Sequence, residues 1–162
     1  MKRTNIFSFT LVIAALLVAG AVRLHAQGGI APSGQFGLHI DVSGSTVAGA
    51  QYAFSPSLQA GAGLGYVNTG GNSATTLELY VRFLLEGTVN PILQAGFTNG
   101  STSASSTSAS GLYGAAGLQY FINRNVGVYG LVHVIDLPLQ SGSDPSFGIF
   151  DPRMGLEWYF NK

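Results

Sequence analysis

The sequence predicts an all-β chain, an eight-stranded antiparallel up-and-down transmembrane β-barrel, and three observations carry that expectation. The first is the stretch from Arg153 to Phe160. Met154, Leu156, Trp158 and Phe160 fall on one face of a strand there, and Arg153, Gly155, Glu157 and Tyr159 on the other. One face is oily and the other wet, and the oily face gathers its aromatic rings at the C-terminal end, as a strand leaving a bilayer does at headgroup level. The second observation is a scarcity of charge. The third is that the links between strands alternate between short and long.

A leader comes first. Lys2 and Arg3 precede an apolar run from Ile6 to Val22, followed by Arg23-Leu24-His25-Ala26-Gln27. That order of charge, oil and small residues predicts a secretory signal peptide over residues 1–26, leaving 27–162 as the barrel domain. Cleavage is expected after Ala26, and Ala19-Gly20-Ala21 offers a competing site. An uncleaved anchor helix fits less well, because the run falls short of the ~20 residues a span needs and Ser8 and Thr10 interrupt it. A length of 162 residues has room for one domain of ordinary size. The chain has no cysteine, which excludes a disulfide framework, a thiolate zinc site and acylation on Cys.

Without the leader, Arg82, Arg124, Arg153 and Lys162 face Asp41, Glu78, Glu86, Asp136, Asp144, Asp151 and Glu157. So weakly acidic a chain lacks the basic footprint of a nucleic-acid binder. These charges are also too few for a water-facing domain, in which about a quarter of residues are charged.

The strands follow in order. Gln35 to Val42 alternates Phe36, Leu38, Ile40 and Val42 against Gln35, Gly37, His39 and Asp41, and Ser43-Gly44-Ser45 turns the chain. Thr46 to Phe54 sets Ala48, Ala50, Tyr52 and Phe54 against Val47, Gly49, Gln51 and Ala53, then stops at Ser55-Pro56-Ser57. Leu58 to Val67 sets Leu58, Ala60, Ala62, Leu64 and Tyr66 against Gln59, Gly61, Gly63 and Gly65, with a loop at Asn68–Ser73. Thr76 to Glu86 places Leu77, Leu79, Val81, Phe83 and Leu85 opposite Thr76, Glu78, Tyr80, Arg82 and Glu86. A fifth strand runs Ile92 to Thr98, and the low-complexity stretch Asn99–Ser110 reads as a mobile loop with nothing to bury. The sixth, Gly111 to Ile122, turns through Asn123-Arg124-Asn125 into the seventh, Val126 to Ile135; both phases of this pair are partly apolar and leave the faces open. Leu137–Ser146 is the last loop, and Pro152 is expected to hold the final strand to a start near Arg153.

In this scheme the second, fourth and sixth links are short and the third, fifth and seventh longer, so one end of the barrel has turns and the other loops. Tyr52, Phe54, Tyr120, Trp158 and Phe160 fall near one rim, Tyr66 and Phe97 near the other, as two girdles. Glycine on the polar faces suits the narrow interior of an eight-stranded barrel. The rival, a soluble barrel holding an apolar ligand, has the same period with the faces reversed. Its surface of Gly, Gln and a few acids would protect strand edges poorly.

The leader, the Gly-rich stretch from Gln59 to Tyr66, the segment from Gly117 to Gly130 and the closing Gly155-Leu156-Glu157-Trp158-Tyr159-Phe160 resemble the small bacterial outer-membrane β-barrel family, which includes outer-membrane protein X and the barrel domain of outer-membrane protein A. The resemblance covers residues 27–162 through loose patterns of alternation. It implies a Gram-negative cell envelope and an outer-membrane location reached through the inner membrane. The implied partners are outer-membrane lipid and lipopolysaccharide, with the barrel-assembly machinery and periplasmic chaperones during biogenesis. The family usually ends on a terminal aromatic, whereas here Asn161-Lys162 follow Phe160.

Few residues suggest chemistry. His39 and Asp41 share a face two residues apart and could reach one metal ion, but without a third ligand they read as lumen fillers. Glu78, Arg82 and Glu86 on the fourth strand, with Arg153 and Glu157 on the eighth, predict an internal salt-bridge network, the alternative being a gated polar pathway. His39 and Asp41 are expected near Arg153 and Glu157, because the first and last strands of a closed barrel are neighbours. Some barrels of this family are lipid A acyltransferases or deacylases using Ser, His and an acid, yet neither His39 nor His133 lies in such a pattern. The sequence therefore names no catalytic, cofactor-binding or metal-binding residue. It points to a structural or surface-contact barrel, with a narrow pore or apolar-molecule conduit as the alternative.

Overall fold

A computed structural model describes residues 31–42, 46–103, 108–140 and 142–160. The leader, the turn at 43–45, residues 104–107 and Asn161-Lys162 lie outside the described residues. Eight antiparallel strands, β1 (Gln35–Val42), β2 (Thr46–Ser55), β3 (Leu58–Thr69), β4 (Asn72–Leu84), β5 (Asn90–Thr102), β6 (Ser108–Phe121), β7 (Val126–Pro138) and β8 (Ser146–Tyr159), pair in chain order. β1 closes the sheet against β8, from Gly37 opposite Tyr159 to Val42 opposite Met154. Closure leaves only two surfaces for side chains, outside and lumen, and the period of two assigns every residue to one of them.

The faces expected of β1 to β4 and of β8 are observed. Phe36, Leu38, Ile40, Leu79, Val81, Phe83, Leu156 and Trp158 are exposed on the outside, while His39, Asp41, Gln51, Gln59, Glu78, Arg82, Arg153 and Glu157 are buried in the lumen. For β6 and β7 the structure settles what the sequence left open. Tyr113, Ala115, Gln119 and Phe121 point inward from β6, and Tyr129, Leu131 and His133 from β7. Aromatic rings gather outside at the end where β1 begins and β8 finishes: Phe36 and Tyr52 lie 4.7 Å apart, Tyr52 and Phe54 4.9 Å, and Trp158 and Phe160 6.3 Å.

Several boundaries differ from expectation. Asn68–Ser73 is no loop: β3 and β4 run up to a tight hairpin in which Gly70 and Gly71 carry φ of 61° and 85°. Two consecutive left-handed residues make the primed turn that suits the strand twist. The stretch 99–110 likewise forms strand at both ends, because small polar residues need no core when hairpin pairing satisfies their backbone and side chains bond across, as Asn99 does to Ser110 at 2.7 Å. β8 begins at Ser146, well before Pro152. Leu131 faces Arg153 but His133 faces Phe150, so an extra residue bulges from β8 at Asp151-Pro152, where Asp151 has a φ of 40°. A bulge leaves a residue unpaired, and that is where a strand accepts proline. β4 stops at Leu84, which puts Glu86 outside the strand and exposed rather than on the inner face. The expected contrast of short and long links is thus weaker than the contrast in hairpin height: the third link is two residues, but β3 and β4 outreach β2, whose pairing with β3 ends at Val47 opposite Gly65.

Candidate functional site

The interior is held by aromatic rings lying over missing side chains. Tyr80 faces Gly61, Tyr113 faces Gly96, Tyr129 faces Gly155 and Tyr159 faces Gly37, each pair directly opposed on neighbouring strands. A Cβ at any of these four glycines would overlap the tyrosine ring. Glycine thus clears space in the wall, tyrosine fills the lumen, and each phenol reaches inward to polar groups.

Those phenols join two arginine centres. Arg82 from β4 is 1% exposed; its guanidinium meets Glu157 of β8 at 3.2 Å and Gln94 of β5 at 2.8 Å, and lies 4.1 Å from the centre of the Tyr129 ring and 5.2 Å from that of Tyr80. The cation is therefore paired, hydrogen-bonded and within reach of the π-electrons of two rings. Glu157 also accepts from Gln51 at 2.9 Å and from Gln119. Arg153 from β8 meets Glu78 of β4 at 2.8 Å, Asp151 at 2.8 Å and Asp41 at 4.0 Å. Tyr113 donates to Glu78 and Tyr129 to Asp41. Glu157, Glu78 and Asp41 each have an arginine in range and a neutral donor, which is what a buried anion requires.

The expected network therefore exists, with two changes. Glu86 takes no part, because it lies past the end of β4. Asp151 joins, since the bulge swings its carboxylate back to Arg153. His39 and Asp41 come to the lumen as anticipated but attend to different partners: His39 Nδ1 lies 3.3 Å from the Tyr80 hydroxyl, and Asp41 is taken by Tyr129 and Arg153. His133 pairs with Asp136 at 3.1 Å and stacks on Tyr113 with ring centres 4.2 Å apart. Among the described residues no group of three or more His, Asp or Glu is placed to hold a metal ion.

Sequence reasoning missed Gln51, Gln94, Gln119 and the four tyrosines as members of this network. Gln51 and Tyr80 share a phase with residues already assigned inward, so the signal was available there. Tyr113 and Tyr129 sit on strands whose two faces are both apolar, and only the register across β6, β7 and β8 sends them inside.

By sequence, the chain matches no family model and no curated protein. By structure it is similar to the N-terminal β-barrel domain of Pseudomonas aeruginosa OprF, with 14% identity and a TM-score of 0.59 over 83% of this chain and 100% of that one. It is also similar to a de novo designed transmembrane β-barrel, with 18% identity and a TM-score of 0.52 over 80% of this chain and 98% of the design. The fold is that of these small closed barrels.

Proposed function

We propose that the chain is an integral outer-membrane β-barrel with a structural or surface-contact role, delivered across the inner membrane by a cleaved signal peptide, and that its lumen is sealed rather than conducting. One observation carries the reading: apolar side chains are exposed all around the outside while both lumen arginines are buried against carboxylates. A water-soluble barrel would show the opposite arrangement, and an open pore would leave those charges hydrated. The similarity to outer-membrane and transmembrane barrels supports the same location. Outer-membrane lipid and lipopolysaccharide are the surroundings this surface suits. The reading includes no catalysis; His133 is engaged by Asp136 and by the Tyr113 ring.

The conduit reading keeps one specific support. The amide of Gln59 and one oxygen of Gln119 are buried without a partner, and a hydrated passage would satisfy them. Single-channel recording in planar bilayers separates the two, after fractionation with outer membrane and heat-modifiable migration on a gel have placed the folded protein. No steady conductance is expected; a stable open channel whose ion selectivity shifts in Arg82→Ala makes the protein a pore. Recovery as a soluble periplasmic monomer overturns the membrane location itself.

A further inference from the structure

A second set of buried contacts lies at the end of the lumen where β1 begins and β8 finishes. Ala53, Leu84, Ile92, Phe121 and Tyr159, the inward residues at that end of their strands, belong to one buried apolar cluster, and Ala31 packs against it from before β1. Pro32 is buried as well. Gly34 links this segment to the wall. Its φ of 65° lies in the left-handed region that favours glycine, and its N–H donates to the Ala53 carbonyl at 2.7 Å, fixing the bend against the end of β2. Further inside sits Gln59, 0% exposed and with neither amide atom bonded. Register sets it opposite Ala53 on one side and Arg82 on the other, between the last buried residue of β2 and the first ion pair.

We infer that residues 31–34 form a strap that closes this end of the lumen, hinged at Gly34, and that it is released without unfolding the barrel. The inference rests on the sealed-lumen reading and adds to it a stopper at one end of the lumen, beyond the ion pairs of Arg82 and Arg153. Releasing the strap admits solutes as far as Gln59 and no further, because the pairs of Arg82 with Glu157 and Arg153 with Glu78 still close the middle.

The chain has no cysteine, so Gln59→Cys supplies a single thiol, and it sacrifices no hydrogen bond. Its rate of reaction with a small cationic methanethiosulfonate is measured on detergent-folded protein whose folding is checked by heat-modifiable migration. The strap is loosened by Gly34→Val, whose added Cβ meets nothing within 4 Å, so that left-handed backbone strain is what it introduces. Gly70→Val is the matched control, with a φ of 61° and equally open surroundings in the β3–β4 hairpin. Slow labelling is expected in Gln59→Cys alone, roughly tenfold or faster labelling when Gly34→Val is added, the shift that left-handed strain in a non-glycine residue produces, and no change with Gly70→Val. Pro32→Asp, which charges the buried strap without touching the hinge, is expected to act as Gly34→Val does. Fast labelling without a second change, no acceleration by Gly34→Val or Pro32→Asp, or equal acceleration by Gly70→Val each overturns the strap. Conductance of the same proteins keeps the two readings apart. A parent that conducts defeats the sealed lumen, whereas an unaltered labelling rate in a silent barrel defeats the strap alone.

Discussion

Strands β1 to β4 and strands β6 and β7 enclose one lumen with opposite economies of bulk. In β1 to β4 the inward positions are largely glycine or polar, as in Gly37, His39, Asp41, Gly49, Gln51, Gly61, Gly63, Glu78 and Arg82, and the large apolar residues point out. In β6 and β7 the inward positions include the bulky Tyr113, Phe121, Tyr129 and Leu131 beside Ala115, Gln119, Gly127 and His133, while Gly114, Ala116 and Gly130 stand on the outside. The difference shows that a narrow barrel packs its lumen as a core. A fixed cross-section must be filled, so large residues on some strands are matched by absent side chains on their neighbours.

The largest expected effect falls where the two halves meet, at Arg82, which reaches from β4 to Glu157 on β8, Gln94 on β5 and the Tyr129 ring on β7. Arg82→Ala leaves Glu157 buried without its cation and is expected to lower unfolding free energy by about 3–5 kcal/mol, read from denaturant titration of the folded barrel. Replacing the pair together, as Arg82→Met with Glu157→Leu, is expected to recover most of that loss. A double variant as unstable as the single one means the ion pair itself, rather than the stranded charge, holds the halves together.

A smaller effect tests the outside of the clean half. Leu79 is 46% exposed in the outward apolar row of β4, and Leu79→Arg is expected to cost roughly 2–4 kcal/mol near the bilayer midplane, measured by unfolding from lipid vesicles. A charge on the exposed link residue Thr88 is expected to stay within about 0.5 kcal/mol. Equal costs at the two positions would mean that the apolar row faces water.

The same contrast in bulk explains what the sequence reveals. Where inward residues are polar, as at Glu78 and Arg82, alternation marks the face, and the strand and its place in the network are legible. Where the lumen is filled by Tyr113, Tyr129 and Leu131, both faces are apolar and the period carries no sign. Pairing across the sheet then decides the face. Boundaries fail for a related reason. Beyond the apolar belt the hairpins of β3–β4 and β5–β6 are held by backbone pairing between small polar residues, which leaves no hydrophobic period to read. The bulge at Asp151-Pro152 was hidden because proline ordinarily ends a strand, and only the shift against His133 shows how it is carried.

The smallest expected effects lie in a pair of glycines on the two faces of neighbouring strands. Gly155 points inward beneath the Tyr129 ring, and an added Cβ would overlap that ring. Gly130 points outward, and its added Cβ meets nothing closer than the Arg153 carbonyl oxygen at 3.8 Å. Gly155→Ala must push Tyr129 from its place between Asp41 and the face of Arg82, at an expected cost of about 1–3 kcal/mol for overpacking. Gly130→Ala restricts the unfolded chain and touches nothing new, so a gain of roughly 0.4–1 kcal/mol is expected. Denaturant midpoints measure both, and a third variant decides the cause. If the ring is what Gly155 makes room for, Gly155→Ala costs little in a Tyr129→Ser background. If the full cost remains there, the glycine serves the backbone of β8 and the matching of ring to gap is not what fills the lumen.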